Sequence, residues 1–143
     1  MPLRRPALLA LFLVLSGCEK PVPPPVELGV PWELAEHRRR TLSELSYRFE
    51  LSIPEARQEP IQGRAVVAFV RSDPDGFDLA LDFMRPGERV RAVRANGADV
   101  TWSAVEDHVV IPASSLVAGR NEVELEFIAG DEALNRNDDF LYS

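Results

Sequence analysis

The chain has 143 residues, enough for one domain of ordinary size, and carries a formal net charge of −7. An acidic chain lacks the basic face that phosphate backbones require, so we expect no nucleic-acid partner. The single cysteine, Cys18, excludes an intrachain disulfide.

The first 17 residues have the order of a bacterial secretion signal. Two arginines precede an unbroken apolar run at 7–15, which is too short to span a bilayer as a permanent helix. Two small residues then lead to Cys18, and the tetrapeptide LSGC resembles a lipobox. That resemblance implies cleavage before Cys18, lipidation of this residue, and a protein anchored to a membrane of the bacterial cell envelope, facing the periplasm or the exterior. An ordinary signal peptide with a chance cysteine is the alternative.

Residues 18–31 are interpreted as a proline-rich tether. Their five prolines remove backbone donors and favour an extended polyproline conformation. A loop packed on the domain is the alternative. The next segment, 31–45, has a thin apolar stripe at helical spacing and predicts the one short helix, at the edge of the domain. Its basic run, His37 to Arg40, could bind an anion, but a solvated basic face is the favoured interpretation.

From Tyr47 onward the apolar period switches to two, which predicts strands. Residues 47–53 and 77–83 alternate cleanly, whereas 62–71 is apolar on both faces and predicts a buried strand. Turns are expected at 72–76 and 85–88, and Asn96-Gly97 is a strong hairpin signal.

A strand at 107–112 precedes a last alternating segment that contains Glu122, Glu124 and Glu126, which we interpret as a solvated face. The predicted fold class for residues 32–143 is all-β: an antiparallel sandwich or saddle of about seven or more short strands.

The sequence contains no recognisable catalytic or metal-binding pattern, and we assign no catalytic, cofactor-binding or metal residue. The two histidines, His37 and His108, are far apart, and neither lies in an H-E-x-x-H pattern. His108 follows Asp107 in a strand, where a surface or half-buried structural role is favoured. The stretch Asn135 to Asp139 has alternating oxygen donors but lacks the glycine and distal glutamate of a calcium loop, so a capped turn is favoured. Trp32 and Trp102 are interpreted as packing residues.

Several short motifs occur in a particular order: Pro60-Ile61-x-Gly63, then Asn96-Gly97, then Ile111-Pro112-Ala113, then Gly119-x-Asn121, and finally LNRNDDFLY at 134–142. Together they resemble the N-terminal domain of the M1 family of zinc aminopeptidases, over about residues 34–143. The resemblance implies a β domain that packs on a thermolysin-like domain carrying the exopeptidase and zinc motifs.

Neither of those motifs is in this chain, and no catalytic or binding residue of the family falls on a position here. Zinc and a peptide substrate are therefore expected only in a complete enzyme, and this chain is expected to be an inactive fragment of it. The rival hypothesis is a stand-alone lipoprotein with an immunoglobulin-like sandwich, which recruits an envelope partner or a glycan.

Overall fold

A computed structural model describes residues 21–72 and 76–130 in full, and the backbone alone of 135–136 and 141–142. The predicted signal peptide, Cys18, the centre of the turn at 72–76 and the side chains of Asn135 to Asp139 lie outside the described residues. The described elements, in chain order, are α1 (Trp32–Thr41), β1 (Leu42–Ser52), β2 (Ile61–Arg71), β3 (Leu79–Asp82), β4 (Val90–Ala95), β5 (Ala98–Asp99), β6 (Ser103–Val105), β7 (His108–Ile111), β8 (Gly119–Ala129), β9 (Asn135–Arg136) and β10 (Leu141–Tyr142).

The strands form an antiparallel sandwich, so the predicted all-β class is confirmed. The larger sheet has five strands in the order β1-β2-β8-β4-β5, and the smaller has three in the order β3-β7-β6. A short pair, β9 with β10, is separate. Apolar side chains of the two larger sheets meet in one core, where Val109, Ile111 and Val123 are wholly buried. This burial supplies most of the driving force for folding.

Turn residues set the register of these strands. Asn96 and Gly97 have φ values of 52° and 82°, as a tight two-residue hairpin between β4 and β5 requires. The predicted Asn-Gly hairpin is thus confirmed. Gly119, at the start of β8, has a φ of 94°, which strains any residue with a Cβ.

The predicted helix is too long at its C-terminal end. It stops at Thr41, whose hydroxyl donates a hydrogen bond to the His37 carbonyl oxygen, and Leu42 is already extended. The segment that follows pairs with β2, and Glu44 sits in a bulge at φ 50°. Pairing with a buried strand therefore overrides a weak helical pattern.

The described part of the predicted tether, 21–31, has no regular secondary structure. Residues 24–26 are half-buried, and the Gly29 amide donates to both carboxylate oxygens of Asp107 at 3.1 Å. Part of the described segment, at 24–26 and Gly29, therefore contacts the domain. Among the described helices, none is long and apolar enough to cross a bilayer.

Candidate functional site

One candidate surface among the described residues is an apolar stripe along β1 and the residue that follows it, formed by Leu45, Tyr47, Phe49, Leu51 and Ile53. Alternation places successive side chains on opposite faces of a strand, so Tyr47, Phe49, Leu51 and Ile53 share one face, as predicted. Leu45, which the sequence assigned to the helix, lies in β1 instead. Their exposed fractions lie between 38% and 63%. The rings of Tyr47 and Phe49 lie nearly parallel, with centroids 6.1 Å apart. A row of exposed apolar side chains on one strand is typical of an interaction surface.

The cross-strand register explains why this stripe is apolar. Tyr47 lies opposite Val67, and Phe49 lies opposite Ala65, and both β2 residues are buried. The stripe is therefore the continuation of the core face of the larger sheet. The core residues of the three-stranded sheet pack over β2, β8 and β4, whereas β1 is exposed along nearly all its length.

A shallow apolar groove of about 230 Å³ runs beside the stripe. Its lining includes Leu45 and Tyr47 of β1, Phe69 of β2, and Leu79 and Leu81 of β3. Arg38 and Arg39 of α1 also line it. The groove offers an apolar side chain a place to bind. The charges of both arginines are already paired, Arg38 with Asp82 and Arg39 with Glu36.

A second candidate is a polar cluster around His108, which the structure buries completely rather than leaving at the surface or half-buried. Its Nδ1 lies 3.1 Å from Asp107 Oδ1 and its Nε2 lies 3.2 Å from Asp82 Oδ1. Neither carboxylate lies in the direction that a hydrogen bond needs, and the described residues give the ring nitrogens no other partner. Asp82 also accepts from Arg38 at 2.7 Å.

This cluster has the residue types of a general-base pair but not the access. The imidazole side chain is 0% exposed, so no substrate can reach it. Its contacts instead connect the segment before α1, the helix itself and strands β3 and β7. We therefore assign the cluster a structural role.

The outer face of the larger sheet carries a ladder of ion pairs rather than a freely solvated acidic face. Arg64 binds Glu50 and Glu124, while Arg94 binds Glu124, Glu126 and Asp99. The hydrogen bond from Arg64 lowers the pKa of the Glu124 carboxyl below its ordinary value, and that carboxylate in turn raises the pKa of Arg64. Of the three glutamates interpreted as solvated, only Glu122 matches the description well.

The basic run of α1 is dispersed rather than assembled into an anion site. Arg38 is largely buried and donates to the Ala80 carbonyl oxygen at 2.6 Å, and Arg39 pairs with Glu36 at 2.7 Å. His37 packs against Phe77, with ring centroids 5.7 Å apart. Trp102 packs against the core as expected, whereas Trp32 is 76% exposed.

The described residues do not fit a metal centre. They contain no group of three or more His, Cys, Asp or Glu side chains placed to hold an ion. A catalytic zinc needs about three such ligands and an open position.

No protein-family model matches the chain, and neither does any curated protein. Solved structures that resemble it include M1 zinc metallopeptidases. The enzyme from Deinococcus radiodurans is 21% identical, with a TM-score of 0.46, covering 64% of this chain and 21% of that one. A mutant of it bound to a Tyr-Ser-Ala substrate is 22% identical, with a TM-score of 0.46, covering 67% and 22%.

The chain thus spans about a fifth of the length of these structures.

Proposed function

We propose that this chain is the non-catalytic N-terminal β domain of a secreted, lipid-anchored zinc metalloaminopeptidase of the M1 type. The proposal rests on the ordered motif set. The observation that supports it most is that motif residues lie at strand ends and turns. Ile61 begins β2, Asn96-Gly97 makes the β4–β5 turn, and Pro112 follows β7 directly. An ordered set of residues with defined structural duties is a stronger signal than the same residues scattered over a surface.

In this proposal the domain acts by packing, and the exposed side chains on its inner face support that role. The apolar stripe and the groove beside it offer a surface on which a second domain can bury apolar area. In the proposal the zinc and its ligands belong to that second domain, as the resemblance to the M1 family implies. The peptide substrate would likewise bind only in the complete enzyme.

The test has two parts. We expect the purified chain to hydrolyse no alanyl-amide substrate and to contain no stoichiometric zinc by elemental analysis. We expect the DNA downstream of codon 143 to encode an H-E-x-x-H pattern in some reading frame. Hydrolysis by the chain itself, or a downstream region without that pattern, would overturn the proposal.

The anchor is proposed on the signal and Cys18 alone, and it has its own test. The mass of the N-terminal peptide from the membrane fraction should correspond to a chain that begins at an acylated Cys18. With Cys18→Ser we expect the mature N-terminus to be lost and no acyl label to be incorporated. Equal acyl labelling of both chains would exclude lipidation at this residue.

A stand-alone binding module is the second candidate, and the paired rings of Tyr47 and Phe49 are the observation that favours it. Exposed aromatic faces on a rigid strand can bind apolar side chains or the faces of sugar rings. A downstream region without a zinc motif, together with a cooperative melt of a stable chain, would favour this candidate.

A further inference from the structure

We infer that β1 is a self-complementary edge strand, through which two copies of this chain pair to form one continuous antiparallel sheet. Within the described residues, β1 is an edge of the five-stranded sheet and has β2 as its only neighbour. An edge strand presents unpaired amide and carbonyl groups, which bind another strand unless something repels it.

The sequence of the strand is symmetric in chemical class. After the bulge, β1 pairs regularly with β2 over Ser46 to Ser52, and Phe49 is the centre of that segment. Reading outward from Phe49, Arg48 faces Glu50 in mirror position, Tyr47 mirrors Leu51, and Ser46 mirrors Ser52. In an antiparallel pair with Phe49 on the two-fold axis, apolar side chains of one copy therefore lie opposite apolar side chains of the other. Arg48 of each copy lies opposite Glu50 of the other, which gives two pairs of opposite charges.

Neighbouring registers are worse. A shift by one residue in the pairing sets apolar side chains opposite polar ones. A shift by two sets Arg48 or Glu50 opposite its own copy, and like charges directly opposite are destabilising. Both charged side chains are at the surface, Arg48 64% exposed and Glu50 58% exposed. Within one chain they pair with each other at 3.7 Å, and Glu50 also pairs with Arg64 at 3.3 Å, so these surface pairs rearrange when the two strands meet.

The occupant of this edge is therefore a second copy of the chain. In the pair, the two apolar stripes form one surface across the axis, with each Tyr47 beside the partner copy's leucine at position 51. The edge lies in the plane of the sheet, so a domain packed on the inner face would leave it accessible.

The register makes a charge-swap test possible. Every chain carries Cys18→Ser and is studied at full length in mild detergent, so residues 1–20 contribute equally to all measurements. Sedimentation equilibrium should show a dimer for the reference chain. Arg48→Glu or Glu50→Arg alone sets like charges opposite each other twice, and should raise the dimer Kd about tenfold or more. An equimolar mixture of these two variants restores opposite charges at every pair and should form the heterodimer.

A cysteine test reports the register itself. In Phe49→Cys the two cysteines lie directly opposite each other, with their Cα atoms about 4.5–5.5 Å apart, and a disulfide can join them. Tyr47→Cys places them about 13 Å or more apart, which is out of reach. We therefore expect oxidation to cross-link the first chain and not the second, with thermal melts confirming that both are folded.

Three results would overturn the inference. The first is a reference chain that stays monomeric at all concentrations, which would leave the edge to another partner. The second is association that neither charge variant weakens, which would indicate nonspecific aggregation. The third is cross-linking of Tyr47→Cys as readily as Phe49→Cys, which would exclude this register.

Discussion

Strands β1 and β2 are neighbours of equal length, eleven residues each, but their side chains differ strongly in burial. Nearly every position of β1 is exposed, whereas most positions of β2 are buried. Both present apolar side chains to the same side of the sheet. The difference is that other core residues pack over β2, which teaches that alternation identifies the apolar face of a strand but not whether anything covers it.

The sharpest way to break this comparison is to make the same substitution on each strand. Phe69 of β2 is 2% exposed and Phe49 of β1 is 63% exposed. Phe69→Asp places a charge in the core, and we expect its cost to exceed the stability of the domain, about 5–15 kcal/mol for a typical domain, so that it abolishes folding. Phe49→Asp should leave a cooperative melt in circular dichroism. A normal melt from Phe69→Asp would show that β2 is not the core strand described here.

The comparison extends to polar groups, because the covered half of the sheet also buries Asn121. Its side chain accepts from the Val117 and Asn96 nitrogens and donates to the carbonyl oxygens of Val117 and Gly119, at 2.7–3.1 Å. Asn121→Ala leaves these groups without partners and should lower the free energy of unfolding by about 2 kcal/mol. The exposed neighbour provides the control, since Glu122→Ala should cost under about 0.5 kcal/mol. Equal losses of unfolding free energy for the two variants in urea titrations would mean that the hydrogen bonds of Asn121 to residues 117 and 119 do not stabilise the turn before β8.

A third substitution probes the boundary between the two regions. Gly63 lies opposite Leu51 on one side and Phe127 on the other, and an added Cβ would clash with the Phe127 ring. We expect Gly63→Ala to lower the free energy of unfolding by about 1 kcal/mol, because the ring has to move.

Phe127→Leu tests that cause by making room. The double variant should lose at least about 0.5 kcal/mol less than the sum of the two single losses. Additive losses would place the strain of Gly63→Ala elsewhere than at this ring.

The sequence predicts the architecture well where local chemistry decides it. The strand predicted at 62–71 follows from an apolar run, and the Asn96-Gly97 turn and the all-β class follow from turn residues and alternation. It fails where a distant partner decides. The helix ends early because Leu42 pairs with Arg71, and His108 is buried because other elements close around β7.

The candidate site was predictable in part for the same reason. Alternation identifies Tyr47, Phe49 and Leu51 as one apolar face, but their exposure depends on the extent of a sheet formed by residues that follow much later in the chain. The ion-pair ladder was missed because alternating glutamates do not show which arginines lie opposite them. Only the cross-strand register reveals that.

The ion pairs on the outer face of the sheet should have the smallest effect on stability. The direction in which that effect changes with pH can be checked. The hydrogen bond from Arg64 lowers the pKa of Glu124 in the folded state, so its ionised form contributes stability above the unfolded pKa, about 4.3. That contribution is lost as pH falls through the lowered value. Glu124→Gln should therefore cost about 0.5–1 kcal/mol at pH 7 in urea titrations, and the gap from the unmodified chain should shrink as the pH falls below about 4.

The partners of Glu124 explain why this effect is small. Arg64 and Arg94 remain paired with Glu50, Glu126 and Asp99 after the substitution, and both are more than a third exposed. Glu122→Gln, two positions away on the same strand, is the matched control and should change stability by less than about 0.3 kcal/mol at either pH. A gap that grows on acidification would reverse the sign. It would mean that the ion pairs of the ladder do not stabilise the ionised form of Glu124.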